Sequence, residues 1–197
     1  MNIVSSDPKF PQNANPYDIV LYPDPVLKIK GEEVKEFDEA LRKLSEDMLI
    51  TMYKAPGIGL AGPQIGVSKR IFVLDVDYDR DCLNEDEDLY QISNLNPIVF
   101  INPTLRDLEG EITYQEGCLS LPDIFDDVTR FETLVVDFYD VEGKKHSMSA
   151  DGLLSICIQH ENDHLDGVLF IEKLSTLKFN LYRKKMIKEK KRIESEK

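Results

Sequence analysis

The sequence has 197 residues, 42% of them hydrophobic, which is enough for one domain with a substantial core and excludes a wholly disordered chain. It has neither a run of about 18 apolar residues nor a basic, apolar leader, so it predicts no membrane span and no signal peptide. The three cysteines lack the spacing of a disulfide framework, and we expect a protein of the reducing cytoplasm with free thiols at Cys82, Cys118 and Cys157.

The net charge of -13 is unevenly distributed along the chain. Residues 171–197 hold ten Lys and Arg against four Asp and Glu, so the rest of the chain carries the acidic excess. An acidic body repels phosphate, which excludes general affinity for nucleic acid. The basic helical tail over residues 183–197 has the charge to contact RNA, although a solvated helix face explains the same residues.

The first half of the chain predicts a lead-in, a helix and a buried strand. Residues 1–16 are polar and contain prolines, which favours an extended segment. Apolar residues at spacings of three and four predict an amphipathic helix over residues 37–52, ended by Pro56. The apolar run at residues 71–76 predicts a strand. Residues 75–89 contain eight acidic residues, for which we expect a solvated loop; a calcium loop is the alternative, but the EF-hand spacing is missing.

The middle of the chain is rich in predicted strands. Residues 98–101 and 134–141 have the apolar, β-branched character of strands. Glu142 and Gly143 are typical of a hairpin turn, which leads into a further strand at residues 145–148.

Two more helices are predicted near the C-terminus. The apolar run Leu153–Leu165 indicates a buried helix with Asp151 as its N-cap and Gly167 beyond its end. A last helix is expected from about Ser175; its apolar stripe fades after Tyr182, so the remainder is expected to project into solvent. Three leucines are predicted to face the core from this helix: Leu174, Leu177 and Leu181.

The motif His160-Glu161-Asn162-Asp163-His164 indicates a metal site on the buried helix. Residues four apart share one face of a helix, so the two imidazoles can bind one ion. Glu161 then lies beside the ion and can accept a proton from a bound water. Because apolar neighbours bury these polar groups, the groups need partners, and a metal supplies them.

Catalytic metal sites usually have three protein ligands, so a third ligand is expected elsewhere in the chain. The candidates are His146, the cysteines and the many carboxylates. Cys118 is favoured because Gly117 before it lets the backbone approach closely, although a lone cysteine is also a common small core residue. Cys157 is expected in the core or a pocket wall, and Cys82 at the surface.

Three segments, in chain order, resemble the signature motifs of peptide deformylases: Gly57–Gln64, Glu116–Pro122 and Gln159–His164. The resemblance covers residues 17–185, and the long C-terminal helix is similar to the Gram-negative-like branch of that family. It implies one α+β domain over residues 1–197, with antiparallel sheets around the metal-binding helix and the N-terminal and C-terminal helices packed outside. The implied activity is removal of the formyl group from the N-formylmethionine of nascent polypeptides, with release of formate.

The resemblance also implies a role for each matching residue. The metal ligands match Cys118, His160 and His164. Glu161 matches the general acid and base, and the Gln64 side chain and Leu119 N–H match the groups that stabilise the oxyanion. The positions that face the substrate match Ile58, Gly59, Glu116, Leu153, Ile156 and Cys157. Arg130 matches an arginine that pairs with Glu116.

Metal affinity and the family resemblance predict different metals for this site. Two histidines and a thiolate accept iron(II), zinc, nickel or cobalt. Affinity alone favours zinc, whereas the resemblance implies Fe²⁺ as the working metal in the cell. The implied partners are formylated nascent peptides and, through the basic tail, the ribosome.

The chain departs from the family pattern in four places. Gly62 replaces the usual alanine, which is expected to add backbone freedom beside Gln64. Phe125 replaces a frequent arginine near the substrate, so preferences beyond methionine are expected to differ. The acidic segment at residues 79–94 is longer than in compact members, and the chain has an N-terminal extension.

Two other classes of protein are compatible with parts of the pattern. A metallopeptidase shares the two-histidine motif but leaves Cys118 and the Gln64 segment unexplained. A non-enzymatic protein with a structural metal requires four protein ligands and leaves Glu161 without a purpose.

Overall fold

The computed structural model describes residues 2–195, with side chains described up to Arg192. The described residues form mixed helices and strands, with short 3-10 turns between some of them. The strands are β1 (Asn2–Val4), β2 (Gly59–Ala61), β3 (Ile71–Leu74), β4 (Asp79–Asn84), β5 (Leu89–Ser93), β6 (Ile98–Glu109), β7 (Ile112–Cys118), β8 (Leu121–Arg130), β9 (Thr133–Tyr139) and β10 (Lys145–Asp151). The helices are α1 (Glu39–Lys54), α2 (Gly152–Leu165) and α3 (Thr176–Ser195).

The main sheet has five strands in the order β10-β9-β6-β3-β2, and every neighbouring pair is antiparallel. Its strand β3 is buried along its whole length because alternate side chains enter two covered faces. Phe72 and Leu74 pack in the cluster that contains α2 residues, whereas Ile71 and Val73 pack in the cluster that contains α1 residues. The sheet therefore lies between α1 and the helix that carries the two histidines, and the predicted α+β fold is confirmed.

The N-termini of α1 and α2 are stabilised by different hydrogen bonds. The carboxylate of Asp38 accepts the N–H of Leu41 at 2.9 Å and caps α1. Asp151 occupies the N-cap position of α2, as predicted, but its side chain makes no capping hydrogen bond. The N–H of Gly152 instead donates to the carbonyl of Glu132, which ties the start of α2 to the main sheet.

The buried face of α3 differs from the predicted one. Leu177 and Leu181 are 81% and 61% exposed, so they do not face the core. Leu174, just before the helix, packs against the core as predicted, and within α3 the residues that pack inward are Phe179, Tyr182 and Met186, at spacings of three and four. Met186 is 1% exposed, so the helix stays packed beyond Tyr182 rather than projecting into solvent from that point.

Several strands were not predicted from the sequence. The acidic segment forms the β4–β5 hairpin rather than a loop, and β1 pairs in parallel with β5. The two-stranded ribbon of β7 and β8 lies apart from the main sheet, and the glycine-rich segment contains β2. Within residues 2–195, no helix has the length and apolar character needed to cross a membrane.

Candidate metal centre and its cavity

A cluster of three donors joins α2 to the end of β7. Ligand atoms of Cys118, His160 and His164 lie within 4.8 Å of one another, and Cys118 Sγ is 3.2 Å from His164 Nε2. The two histidines are neighbours on α2 because they are four residues apart. Cys118 reaches them because β7 ends there and the chain turns directly into β8. The structure therefore brings together the three residues that the sequence suggested as ligands.

The donors fit a divalent transition metal. Thiolate sulfur and imidazole nitrogen are donors that iron(II), zinc, nickel and cobalt accept. Burial lowers the pKa of His164 well below its ordinary value, as does the neighbouring His160, which favours the neutral imidazole that binds a metal. Among the described residues, buried His164 Nδ1 and Glu161 Oε2 have no hydrogen-bond partner.

Glu116 orients His160 from behind. Its Oε2 atom is 2.7 Å from His160 Nδ1, which leaves the other ring nitrogen of His160 for the cluster. Arg130 donates two hydrogen bonds to the same carboxylate, at 2.6 and 2.9 Å. Burial acts to raise the pKa of Glu116, but the bonds with Arg130 and His160 outweigh it and lower that pKa to about 2. Arg130 also pairs with Asp163, a residue that the sequence analysis did not select.

Glu161 lies between α2 and the edge strand β2. It is 5% exposed, and burial raises its pKa to about 7, with Glu116 adding to the rise. A Cβ atom at Gly59 would lie 2.5 Å from Glu161 Oε1, so glycine is required for this close approach. Glu161 is therefore held in a narrow, nearly dry space beside the donor cluster.

Gln64 is fixed with its amide nitrogen toward the cluster. Its Oε1 accepts the N–H of Ala61 at 2.8 Å, and its Nε2 lies 3.5 Å from Cys118 Sγ and 3.3 Å from Ser120 Oγ. Gln64 is 1% exposed, so these contacts determine its orientation. Ser120 is fully buried and was missed by the sequence analysis, although it lies within the Glu116–Pro122 segment.

A cavity of about 600 Å³ opens in front of the cluster. Most predicted site residues line it, whereas His164 and Arg130 do not. The lining residues from the prediction are Ile58, Gly59, Gln64, Glu116, Cys118, Leu119, Leu153, Ile156, Cys157, His160 and Glu161. Tyr114 and Phe125 also line it and are 44% and 62% exposed. The mouth of the cavity is therefore aromatic and accessible.

A Cys-His-His donor set with both histidines buried and the cysteine half-buried, a carboxylate beside it and an accessible apolar cavity define the site of a metal-dependent hydrolase. A family model described as Polypeptide deformylase matches residues 16–180. The chain therefore belongs to the peptide deformylase family, whose members remove the N-formyl group from nascent peptides.

Individual relatives agree with this assignment. Peptide deformylase 2 of Xanthomonas campestris pv. campestris is 44% identical over 178 residues, which is 89% of this chain and 96% of that protein. A peptide deformylase of Neisseria meningitidis is 44% identical over 88% of this chain and 96% of its own length. The crystal structure of a peptide deformylase from Legionella pneumophila has a TM-score of 0.78 at 38% identity, covering 93% of this chain and 99% of that one. The family predicted from the three motifs is confirmed.

Proposed function

We propose that this chain removes the formyl group from N-formylmethionyl nascent peptides with Glu161 as general acid and base and one divalent metal held by Cys118, His160 and His164. The observation that carries the proposal is the three-donor cluster, whose ligand atoms lie within 4.8 Å of one another beside a buried carboxylate. Bound there, the metal supplies Lewis acidity, which lowers the pKa of a water and polarises a carbonyl oxygen.

Glu161 is proposed to move the proton. It follows the ligand His160 directly on α2, and its carboxylate fills the space beside Gly59 at the cavity wall. From this position it accepts a proton from the attacking water and returns it to the amine that leaves with the peptide. Formate and a free N-terminal methionine are the products.

Gln64 and the N–H of Leu119 are proposed to stabilise the negative charge that develops on the formyl oxygen. The Ala61 N–H holds the Gln64 carbonyl oxygen, so the amide nitrogen is the atom presented toward Cys118. A donor fixed before the reaction needs no reorganisation during it, and loss of one such donor typically lowers the rate by about 10²–10³. Arg130 and Glu116 are proposed to support the site by fixing the ring of His160.

The substrate backbone is proposed to pair with Ile58 and Gly59 as an added strand. Strand β2 is the outermost strand of the main sheet, and its inner edge is already paired with β3. The Ile58 carbonyl accepts the N–H of Asp75 at 3.0 Å, which fixes this segment to the sheet. The methionine side chain is proposed to enter the apolar part of the cavity, formed by Leu153, Ile156 and Cys157.

Fe²⁺ is proposed as the metal in the cell, with zinc, nickel or cobalt as possible occupants of purified protein. The mixed sulfur and nitrogen donor set accepts all four, so the proposal for iron depends on the resemblance to the family. An iron–thiolate site is expected to lose activity in air. Metal analysis after anaerobic purification, with activity followed in air for the iron and nickel forms, tests it; an equally active, air-stable zinc form opposes it.

We propose a cytoplasmic location, since the three cysteines are free, and contact of α3 with the ribosome. Exposed basic residues on α3 support that contact, among them Arg183, Lys184, Lys188 and Lys191. Because Met186 is buried, the appropriate test is reversal of these four charges rather than deletion of the tail. Ribosome co-sedimentation should fall while cleavage of a short peptide is retained; unchanged co-sedimentation opposes the contact.

The reaction itself is tested with three substrates of the same sequence. Formyl-Met-Ala-Ser should release formate, whereas acetyl-Met-Ala-Ser should react far more slowly, because formyl is the smallest acyl group and the space around Glu161 is narrow. An unformylated peptide should remain intact. Equal cleavage of acetyl and formyl peptides would oppose exclusion by size, and cleavage of internal bonds would favour a metallopeptidase.

A further inference from the structure

The segment at residues 55–59 forms one rim of the cavity and connects α1 to the edge strand β2. Three hydrogen bonds from different parts of the fold fix its backbone. Gly57 N–H donates to the Met52 carbonyl at 3.0 Å, and the Ile58 carbonyl accepts from Asp75 at 3.0 Å. The Gly57 carbonyl accepts the hydroxyl of Tyr78 at 3.1 Å. The first two bonds come from α1 and the main sheet, whereas the third comes from the start of the acidic hairpin.

Tyr78 belongs to a connected group between that hairpin and α1. Its ring packs edge-on against Tyr53, with ring centroids 5.0 Å apart. Arg80 of β4 donates to the Tyr53 carbonyl at 2.9 Å, and its guanidinium lies 4.4 Å above the ring of Tyr90 on β5. Burial raises the pKa of Tyr78, and the nearby Arg80 acts in the opposite direction. These contacts fix the Tyr78 hydroxyl relative to both α1 and the hairpin.

Asp75 connects the same group to the main sheet. It is 1% exposed, and its Oδ2 accepts the Tyr53 hydroxyl at 2.7 Å and the Asn96 N–H at 2.9 Å. A buried carboxylate is stable there because hydrogen bonds replace its water. The backbone of Asp75 also holds Ile58, so the segment that leads into the acidic hairpin contacts the cavity rim directly, and the segment that follows the hairpin is tied to it through Asn96 and Asp75.

The N-terminal extension completes this small sheet. β1 pairs with β5, and Ile3 and Phe10 pack against the α1 side of the core. The ring of Phe10 stacks on Tyr53 at 6.4 Å. The N-terminal extension, which contains β1, and the acidic hairpin of β4 and β5 have no part in the proposed catalytic chemistry. Together they form one small sheet, which is connected to the cavity rim through Tyr78 and Asp75.

We propose that the small sheet of β1, β4 and β5 braces the rim at residues 55–59, and that Tyr78 is a positioning residue for the peptide substrate. The inference depends on the proposed function, because it assigns Ile58 and Gly59 to the substrate backbone. Tyr78 is not among the residues that line the cavity. Tyr78 instead aligns the backbone of the rim, so that the rim can pair with the peptide backbone beyond the first substrate residue.

The test uses Tyr78→Phe, which removes the hydroxyl and retains the ring that packs on Tyr53. Tyr90→Phe is the matched control, because it removes a hydroxyl from the same sheet and, among the described residues, Tyr90 makes no hydrogen bond to the rim. For formyl-Met-Ala-Ser, we expect KM to rise about three- to tenfold with Tyr78→Phe, the range for loss of one hydrogen bond, and kcat to stay within twofold. For formyl-Met-amide, which lacks the downstream backbone, KM should change less.

Hydrogen exchange gives a readout that does not require activity. Amides in the peptide covering residues 55–60 should exchange several-fold faster in Tyr78→Phe, with α2 unchanged and Tyr90→Phe like the wild type. An unchanged KM for the tripeptide, or unchanged exchange at the rim, would overturn the inference. So would equal losses of kcat for both substrates, which indicate general destabilisation. Absence of formate from the wild type would instead reject the proposed function, so the two failures are distinguishable.

Discussion

The carboxylate of Glu116 lies between the ring of His160 and the guanidinium of Arg130, 2.7 Å from His160 Nδ1 and 2.6 Å from Arg130 Nε. All three side chains are buried or nearly so. The arrangement fixes which ring nitrogen of His160 faces the donor cluster, because the other one is used by Glu116.

Glu116→Gln should therefore weaken metal binding without removing a ligand. The amide retains the shape of the side chain but loses the charge that holds His160 and Arg130. Loss of such a supporting carboxylate typically lowers metal affinity about 10- to 100-fold. Competition with a chelator measures this affinity, and Glu109→Gln, at an exposed position on β6, is the control. Equal metal affinity in the Glu116 variant and the wild type would contradict the assigned role.

Gly59→Ala should reduce kcat by displacing Glu161. The new Cβ would lie 2.5 Å from Glu161 Oε1 and 2.7 Å from Leu74 Cδ2, so either the carboxylate or the edge strand must move. A misplaced general base loses much of its contribution, which is commonly about 10²–10⁴ in rate. Gly57→Ala is compared for kcat alone, because its Cβ would meet the end of the flexible Leu119 side chain rather than Glu161, while its place in the cavity rim means that its KM can rise. Formate release should be far lower in the Gly59 variant; similar rates for the two variants would count against this geometry.

Gly62→Ala, which restores the usual family residue, should destabilise this chain. A Cβ at Gly62 would lie 2.7 Å from the Val67 carbonyl oxygen and 3.0 Å from that of Lys69. Backbone atoms cannot turn away as a side chain can, so we expect a loss of about 1–3 kcal/mol, as for other overpacked sites. Urea unfolding measures it. Equal or higher stability in the alanine variant would show instead that the glycine only adds backbone freedom.

Met186→Ala should destabilise the protein, whereas Leu177→Ala should not. Met186 is 1% exposed and packs in the cluster with β8, while Leu177 is 81% exposed. Truncation of a buried methionine typically lowers the free energy of unfolding by about 2–5 kcal/mol, and exposed substitutions stay within about 0.5 kcal/mol. Thermal or urea unfolding of both variants decides between this face of α3 and the one predicted from the leucines.

The sequence was most informative where structure depends on local spacing. The α2 helix and the shared face of His160 and His164 follow from a four-residue interval on an apolar helix. Cys118 was favoured from its own segment, and the family resemblance added Gln64 and Arg130; local spacing alone connects none of the three to α2. Their meeting depends on β7, β8 and the segment after β2, which are brought together by the fold.

The features that the sequence did not predict correctly have a common physical cause, because each depends on contacts with residues elsewhere in the fold. Strand β4 is polar and largely exposed, so its alternation carries no apolar signal, and its backbone pairing with β5 was not evident. The helix α3 has apolar residues on more than one side, and the position of β8 determines which of them are buried. Asp75 is acidic like its neighbours, and only the positions of Tyr53 and Asn96 distinguish it from a solvated residue.

The central claim is that Glu161 moves the proton at a metal site made by Cys118, His160 and His164. The most direct measurement is formate release from formyl-Met-Ala-Ser by the wild type and Glu161→Gln, both loaded anaerobically with Fe²⁺ and checked for metal content. We predict equal metal content, rapid formate release from the wild type and a rate at least about 10²-fold lower in the variant. A fully metal-loaded Glu161→Gln protein that releases formate at the wild-type rate would contradict the account.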